Sequence, residues 1–361
     1  MRSKIPATIV TGFLGAGKTT LIRNMLTNAG GRRIALIINE FGDLGVDGGI
    51  LAGCGIENCS EDDIVELSNG CICCTVAEDF VPTIAALLAR PDAPDHIVIE
   101  TSGLALPQPL VRAFNWPEIA TRVTVDGVVA LVDGAAVAEG RFAHDEARVD
   151  AQRAADDSLD HETPLSELFD DQLACADLIV VNKADLLPEG SAAALKSRIR
   201  DGARDGVQVV TASHGNLPVD VLLGQGSAAE ADLSARHAVH HHHHHDDEDG
   251  DEDVDEDEDD HTHEHGHDAF ESFVVDLPEI ADPAGYAGQV ADVIRAHDIL
   301  RLKGFAAVSG KPMRLTIQAV GPRIESYFDR PLRADEDRAT RLVVIGQAGL
   351  DRAAIAAALA P

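Results

Sequence analysis

Gly12-Phe13-Leu14-Gly15-Ala16-Gly17-Lys18-Thr19 reads as a complete G-x-x-x-x-G-K-[ST] phosphate loop. Its flanks are those the motif needs. Ala7-Thr8-Ile9-Val10 before it is a short apolar, β-branched strand, and Thr20–Leu26 after it carries apolar residues at helical spacing. Glycines let backbone N–H groups wrap a phosphate chain, and the following helix N-terminus favours its negative charge. In that arrangement Gly12, Gly15, Ala16, Gly17 and Thr20 line the cradle, Lys18 reaches the β- and γ-phosphates, and the Thr19 hydroxyl holds Mg²⁺. A turn merely rich in glycine is the alternative, and the strand and helix on either side weigh against it. The stretch predicts a nucleoside triphosphate site.

The base is decided far downstream. The apolar strand Leu178-Ile179-Val180-Val181 runs directly into Asn182-Lys183-Ala184-Asp185, an N-K-x-D box. The Asp185 carboxylate can accept from both guanine donors, N1–H and N2–H, a pair that adenine lacks. Alone, the tetrapeptide could be a strand-to-loop turn. Coupled to the phosphate loop, it predicts GTP.

Around these motifs the 361 residues suggest two domains, and 45% apolar content is ample for packed cores. The first ~220 residues alternate strand and helix, with strands expected at 7–11, 33–39, 96–101, 125–132, 178–182 and 207–211. Helices are expected near 18–29, 78–90, 166–176 and 191–203, and the acidic stretch 138–163 reads as an insertion or surface helix. The fold class is therefore α/β: a mostly parallel sheet covered by helices over residues 1–223, with the nucleotide at the carboxyl ends of the strands. Residues 224–268 read as a disordered linker, carrying six consecutive histidines (His240–His245), thirteen acids in 246–260, and His261, His263, His265 and His267. Native metal buffering is favoured over an engineered tag because the tract is internal and flanked by acids. Residues 269–361 read as a small α+β domain, with strands at 273–275, within 300–320 and at 342–346, and helices at 284–297 and 351–359.

The net charge of −33 argues against nucleic acid or an anionic membrane as partner. No leader pattern and no membrane-length apolar stretch is evident, and six cysteines do not suggest a disulfide scaffold. A cytoplasmic location is expected.

Asn69-Gly70-Cys71-Ile72-Cys73-Cys74 is the remaining informative string. Three thiols in four residues fit thiolate ligation of a soft or borderline divalent metal better than core packing or a C-x-x-C redox pair. Cys54 and Cys59 could chelate, pair or do nothing, while Cys175 is expected in the core.

Gly12–Thr20, Glu40-Phe41-Gly42, Cys71–Cys74, Glu100-Thr101-Ser102-Gly103 and Asn182–Asp185 together resemble the CobW family of metal-handling GTPases, relatives of the urease and hydrogenase nickel-insertion GTPases. The likeness spans essentially the whole chain, with Arg301-Leu302-Lys303-Gly304 and Gln318 similar to that family's C-terminal domain. It implies an E-x-x-G loop in place of D-x-x-G: Glu100 near Mg²⁺ and Gly103 at the γ-phosphate, both serving hydrolysis with Lys18. The resemblance also implies that Glu40 joins Cys71, Cys73 and Cys74 at a transferred metal, with a solvated loop carboxylate as the alternative, and Asp43 carries the same two readings as an Mg²⁺ or water-positioning group. A narrower resemblance over Lys4–Cys59 and Glu66–Trp116 implies cobalt handling in aerobic cobalamin biosynthesis. Thiolates suit Co²⁺ and Zn²⁺ alike, so a GTP-dependent chaperone for cobalt, or alternatively zinc, is expected. A metal-sequestering module with a vestigial GTPase is the rival. The expected partner is a metal-receiving client enzyme such as a cobaltochelatase, approached through the C-terminal domain, with homodimerisation left open. No glutamine follows Gly103, so slow intrinsic hydrolysis is expected.

Overall fold

The computed structural model describes residues 4–38, 64–66, 80–155, 164–188, 190–236, 270–333 and 336–361. Seven strands build the first sheet: β1 (Ile5–Thr11), β2 (Ile34–Ile38), β3 (Ile64–Glu66), β4 (His96–Glu100), β5 (Val123–Asp133), β6 (Leu178–Asn182) and β7 (Gln208–Thr211). Their order is β3-β2-β4-β1-β5-β6-β7 and every ladder is parallel. Alternation along each strand feeds both faces. Val10, Leu36, Val98 and Val129 pack with Leu21, Ile22 and Met25 of the helix Lys18–Thr27. Ile9, Ile37, Ile97 and Val128 pack on the opposite face with Ile84 and Leu87 of the helix Val81–Ala89 and with Phe114. The strand β3 and the helix Pro107–Ala113 add to the expected elements, and the helix Glu146–Ala155 occupies part of the stretch 138–163 read as an insertion or surface helix. Among the described residues no helix is long and apolar enough to cross a membrane.

Residues 224–236, expected in the linker, instead close the first domain. The Asp126 carboxylate accepts from the backbone N–H groups of Gly224, Gln225 and Gly226, and Glu230 accepts from Thr124 and Val125. Arg236, 1% exposed, donates twice to the buried Asp177 at 3.0 and 2.9 Å. These polar anchors were invisible to a composition argument, because each partner lies far away in sequence.

The C-terminal domain is an antiparallel sheet of β8 (Phe270–Leu277), β9 (Arg301–Ala307), β10 (Met313–Val320), β11 (Arg323–Pro331) and β12 (Thr340–Gln347), ordered β11-β10-β9-β12-β8. The helices Pro283–Ala296 and Arg352–Leu359 pack against it through Val290, Ile294, Ile355 and Leu359, facing Leu302, Leu315, Ile317 and Leu342. From its other face Leu300 and Ile345 join the apolar cluster of the first domain. Polar contacts fasten the junction. Arg301 donates to the carbonyls of Asp220 and Leu223, Lys303 Nζ lies 3.0 Å from Asp220 Oδ2, and Gln347 Nε2 donates to Thr211 Oγ1 at 2.9 Å. Arg323 reaches Asp177 at 3.1 Å, so one aspartate serves both domains.

Burial alone would raise the Asp177 carboxyl, but hydrogen bonds from Arg236 and the charges of Arg236 and Arg323 hold it below the usual range. Asp177→Ala leaves Arg236 buried without its counter-charge and should cost about 3–5 kcal/mol in urea denaturation. A separate acid sensitivity comes from His96, whose ring bonds Thr8 Oγ1 at 2.8 Å and lies 4.0 Å from Asp126. Burial lowers its pKa from 6.5 to about 4 against the pull of Asp126. The unfolded chain therefore takes up this proton first, and stability should fall as the pH drops from about 6.5 towards about 4. The loss should be on the order of 3 kcal/mol, read by denaturation at fixed pH values, and His96→Gln should flatten that slope.

Candidate functional site

The phosphate loop leaves β1 at the carboxyl edge of the sheet and feeds the helix Lys18–Thr27, whose N-terminus has no side-chain cap. Its first N–H groups are thus available to an anion. Lys18 is buried and folds back over the loop, donating to Gly12 O at 2.8 Å. Gly17 sits at φ 101, and a Cβ there would lie 2.3 Å from Asn182 Nδ2, so the close approach of β6 to the loop excludes any side chain. Gly15 faces open space.

Asn182 binds the site together. Its Nδ2 donates to Ala16 O at 2.8 Å, and its Oδ1 accepts from Gly215 N at 2.9 Å. The phosphate loop is thereby tied to the turn Ser213–Asn216 that follows β7. Lys183 adopts a left-handed backbone at φ 56 and places Nζ 2.6 Å from Asp133 Oδ2. Asp133, 2% exposed, also accepts from Ala136 N at 3.2 Å, starting the short helix Gly134–Ala138. Asp185 lies on the turn Ala184–Leu186, with its Oδ2 3.5 Å from His214 Nε2. His214 O accepts from Asn24 at 3.0 Å, which links this turn back to the loop helix. Asp133 and the His214–Gly215 turn were missed in the sequence, although Thr211-Ala212-Ser213-His214-Gly215 follows the last parallel strand much as Asn182–Asp185 follows its neighbour.

On the other flank, register pairs Val10 with Glu100, and Thr101 N donates to Val10 O at 3.0 Å. Glu100 is buried, Thr19 half-buried at the start of the loop helix, and Gly103 so close to the loop that a Cβ would lie 2.8 Å from Leu14 N. A hydroxyl and a carboxylate are hard oxygen donors of the kind Mg²⁺ takes beside a triphosphate, so Thr19 and Glu100 fit that ion.

Glu40, Asp43, Cys54, Cys59, Cys71, Cys73 and Cys74 lie outside the described residues, as does the histidine-rich tract. Two described strands nevertheless lead to them. β2 ends at Ile38, shortly before Glu40, and β3 at Glu66, shortly before Cys71. Both run parallel to the central strands, so both stop at the sheet edge that carries the phosphate loop. Among the described residues no group of three or more His, Cys, Asp or Glu is placed to hold a metal. Cys175 is fully buried, its thiol pushed up to about 12 by burial, as a core cysteine should be.

The family model described as CobW/HypB/UreG, nucleotide-binding domain, matches residues 6–210, and the one for the cobalamin synthesis protein cobW C-terminal domain matches 270–361. A Sinorhizobium protein named zinc chaperone CobW is 57% identical over 358 residues, covering 99% of this chain and 97% of that protein. A Pseudomonas aeruginosa protein of the same name is 54% identical over 98% of this chain and 90% of its own length. An Escherichia coli protein named zinc chaperone YjiA is 30% identical over 95% of this chain and 94% of its own.

The pairing of Lys183 with Asp133 has a measurable consequence. Asp133→Asn should weaken GDP and GTP binding roughly tenfold, in line with loss of a charge-assisted hydrogen bond. In a Lys183→Ala background the same change should cost almost nothing further, as read by titration with a fluorescent GDP.

Proposed function

The chain belongs to the CobW family of P-loop GTPases, and we propose that it is a zinc chaperone whose Cys71-Cys73-Cys74 site is gated by the bound nucleotide. The observation that carries this reading is the parallel register of β2 and β3. Both strands deliver the chain to Glu40 and to the cysteines from the edge where the γ-phosphate would lie. A change at the γ-phosphate is thereby connected to the ligands by two short stretches of backbone.

In this mechanism the loop N–H groups and Lys18 hold the β- and γ-phosphates, while Asn182, Lys183 and Asp185 hold the guanine. Thr19 and Glu100 would hold Mg²⁺, which supplies neutralisation of charge on the β- and γ-phosphoryl oxygens. Gly103 presents its N–H to the γ-phosphate. With GTP bound, Glu40 and the three thiolates close around the cargo metal. Loss of the γ-phosphate opens that site and makes the metal transferable to a client. Such gating needs only a coupling of a few kcal/mol, the usual size for linked sites.

Zinc is preferred over cobalt on two grounds. The relatives at 57% and 54% identity are named zinc chaperones, and borderline thiolate sites favour Zn²⁺ over Co²⁺ in the general stability order. The deciding experiment is competition with a chromophoric chelator, titrating Zn²⁺ and Co²⁺ in the presence of Mg²⁺ with either a GTP analogue or GDP. Zinc should bind at least tenfold more tightly with the GTP analogue, and by linkage zinc should tighten the analogue by the same factor. Cys71→Ala should abolish the difference. Metal affinity that ignores the nucleotide would defeat the gating, and cobalt outcompeting zinc at the cysteines would reassign the cargo.

A further inference from the structure

Between β5 and β6 the chain inserts the helix Glu146–Ala155 and then the helix Leu165–Cys175. One residue of the second helix, Gln172, is polar and yet only 2% exposed. Its Nε2 donates to Gly103 O at 3.0 Å and to Ala105 O at 3.2 Å. An amide nitrogen has two hydrogens, and here each has its own carbonyl, one on the last residue of the E-x-x-G loop and one two residues beyond it.

The rest of that loop is held as firmly. Thr101 N donates to Val10 O at 3.0 Å at its start, and Ala105 N closes a turn on Ser102 O at 3.1 Å. Leu104 is buried in a small apolar cluster with Phe13 of the phosphate loop, Phe142, Ala143 and Val149, against Leu168 and Phe169 of the same helix as Gln172. The Phe169 ring lies 5.9 Å from that of Phe13 and 5.3 Å from that of Phe142. Gly103 itself abuts the backbone of Leu14. One helix therefore grips both loops that would meet the γ-phosphate, with apolar side chains on one and a two-pronged hydrogen bond on the other.

We infer that Gln172 is a positioning residue for GTP hydrolysis and that the E-x-x-G loop is preset rather than a moving switch. A peptide whose carbonyl is anchored cannot flip without breaking that bond inside a dry, packed site, where an unmade hydrogen bond is costly. The Ser102–Ala105 turn thus keeps one presentation towards the phosphate loop whether or not a γ-phosphate is there. Such preorganisation acts on the transition state, so its loss appears in kcat and in recognition of the γ-phosphate, and not in binding of GDP, which has no γ-phosphate. The inference rests on hydrolysis at this site and is independent of the metal cargo.

The test uses full-length chain carrying Gln172→Met, which keeps the shape without the donors, and Gln172→Glu, which turns a carboxylate towards two carbonyls. Single-turnover hydrolysis, affinities for GDP and for a non-hydrolysable GTP analogue, and thermal melting are measured on each. Both variants should hydrolyse GTP at least roughly tenfold more slowly, as small misplacements at reacting centres do. They should bind the analogue more weakly and keep GDP affinity within about twofold. Unchanged hydrolysis in folded variants overturns the inference, and so does a parallel loss of GDP and analogue affinity, which would mark a merely structural residue. Should neither variant fold, hydrogen exchange on the wild-type chain decides. The Leu104 and Ala105 amides should be equally slow in the nucleotide-free, GDP and GTP-analogue states. Fast exchange with GDP that slows only with the analogue would show a moving switch and overturn it.

Discussion

A single carboxamide, that of Asn182, holds the nucleotide site in shape. It donates to the phosphate loop at Ala16 and accepts from the turn beyond β7 at Gly215, so the loop and that turn share one strut. An amide does both from one planar group, whereas a carboxylate lacks the donor and an ammonium lacks the acceptor. The strut works because the sheet is parallel. β1, β6 and β7 all end on the same edge, and three segments far apart in sequence arrive within reach of one side chain. The closeness leaves no room at Gly17 for a side chain, which is why the motif's glycine is a packing requirement as well as a conformational one.

The C-terminal domain is part of the same construction. Alternation along β9 sends Arg301 and Lys303 towards the first domain and Leu302 into its own core, so Arg-Leu-Lys-Gly is a docking motif read off one strand. Burial opposes ionisation of Asp220, but hydrogen bonds from Arg32 and Lys303 bring its carboxyl down to about 2, so the clamp stays charged through any physiological pH. Gln347, at the end of β12, takes a hydrogen bond from Lys196 at 2.7 Å and gives one to Thr211, the last residue of β7. The second domain thus leans directly on β7, the strand whose following turn meets Asn182 at Gly215.

What could be read from the residues alone was whatever is local. The phosphate loop, the Asn182–Asp185 box and most strands declare themselves through contiguous patterns whose period matches their structure. Asp133 and Gln172 did not, because neither belongs to a motif: each acquires its role from a partner that only the fold brings near, Lys183 in one case and the Gly103 carbonyl in the other. The stretch 138–163 read as an insertion or surface helix without a use for the same reason, since Phe142 and Val149 become meaningful only beside Phe13. β11 was overlooked because its exposed edge alternates weakly, with Tyr327 and Phe328 half open to solvent.

Residues 211–236 belong to neither of the two family patterns, which stop at 210 and resume at 270. Yet they contain Gly215, the strut's second foothold, and Arg236, the buried partner of Asp177. Modularity in this protein is consequently a property of sequence statistics more than of mechanics. A fragment cut where the first pattern ends would lose the partner of Asn182 at Gly215 and the Arg236 that donates twice to the buried Asp177, so the smallest self-contained first domain extends through Arg236. Shuffling of the two domains during evolution would have had to carry this bridging piece along with the first of them.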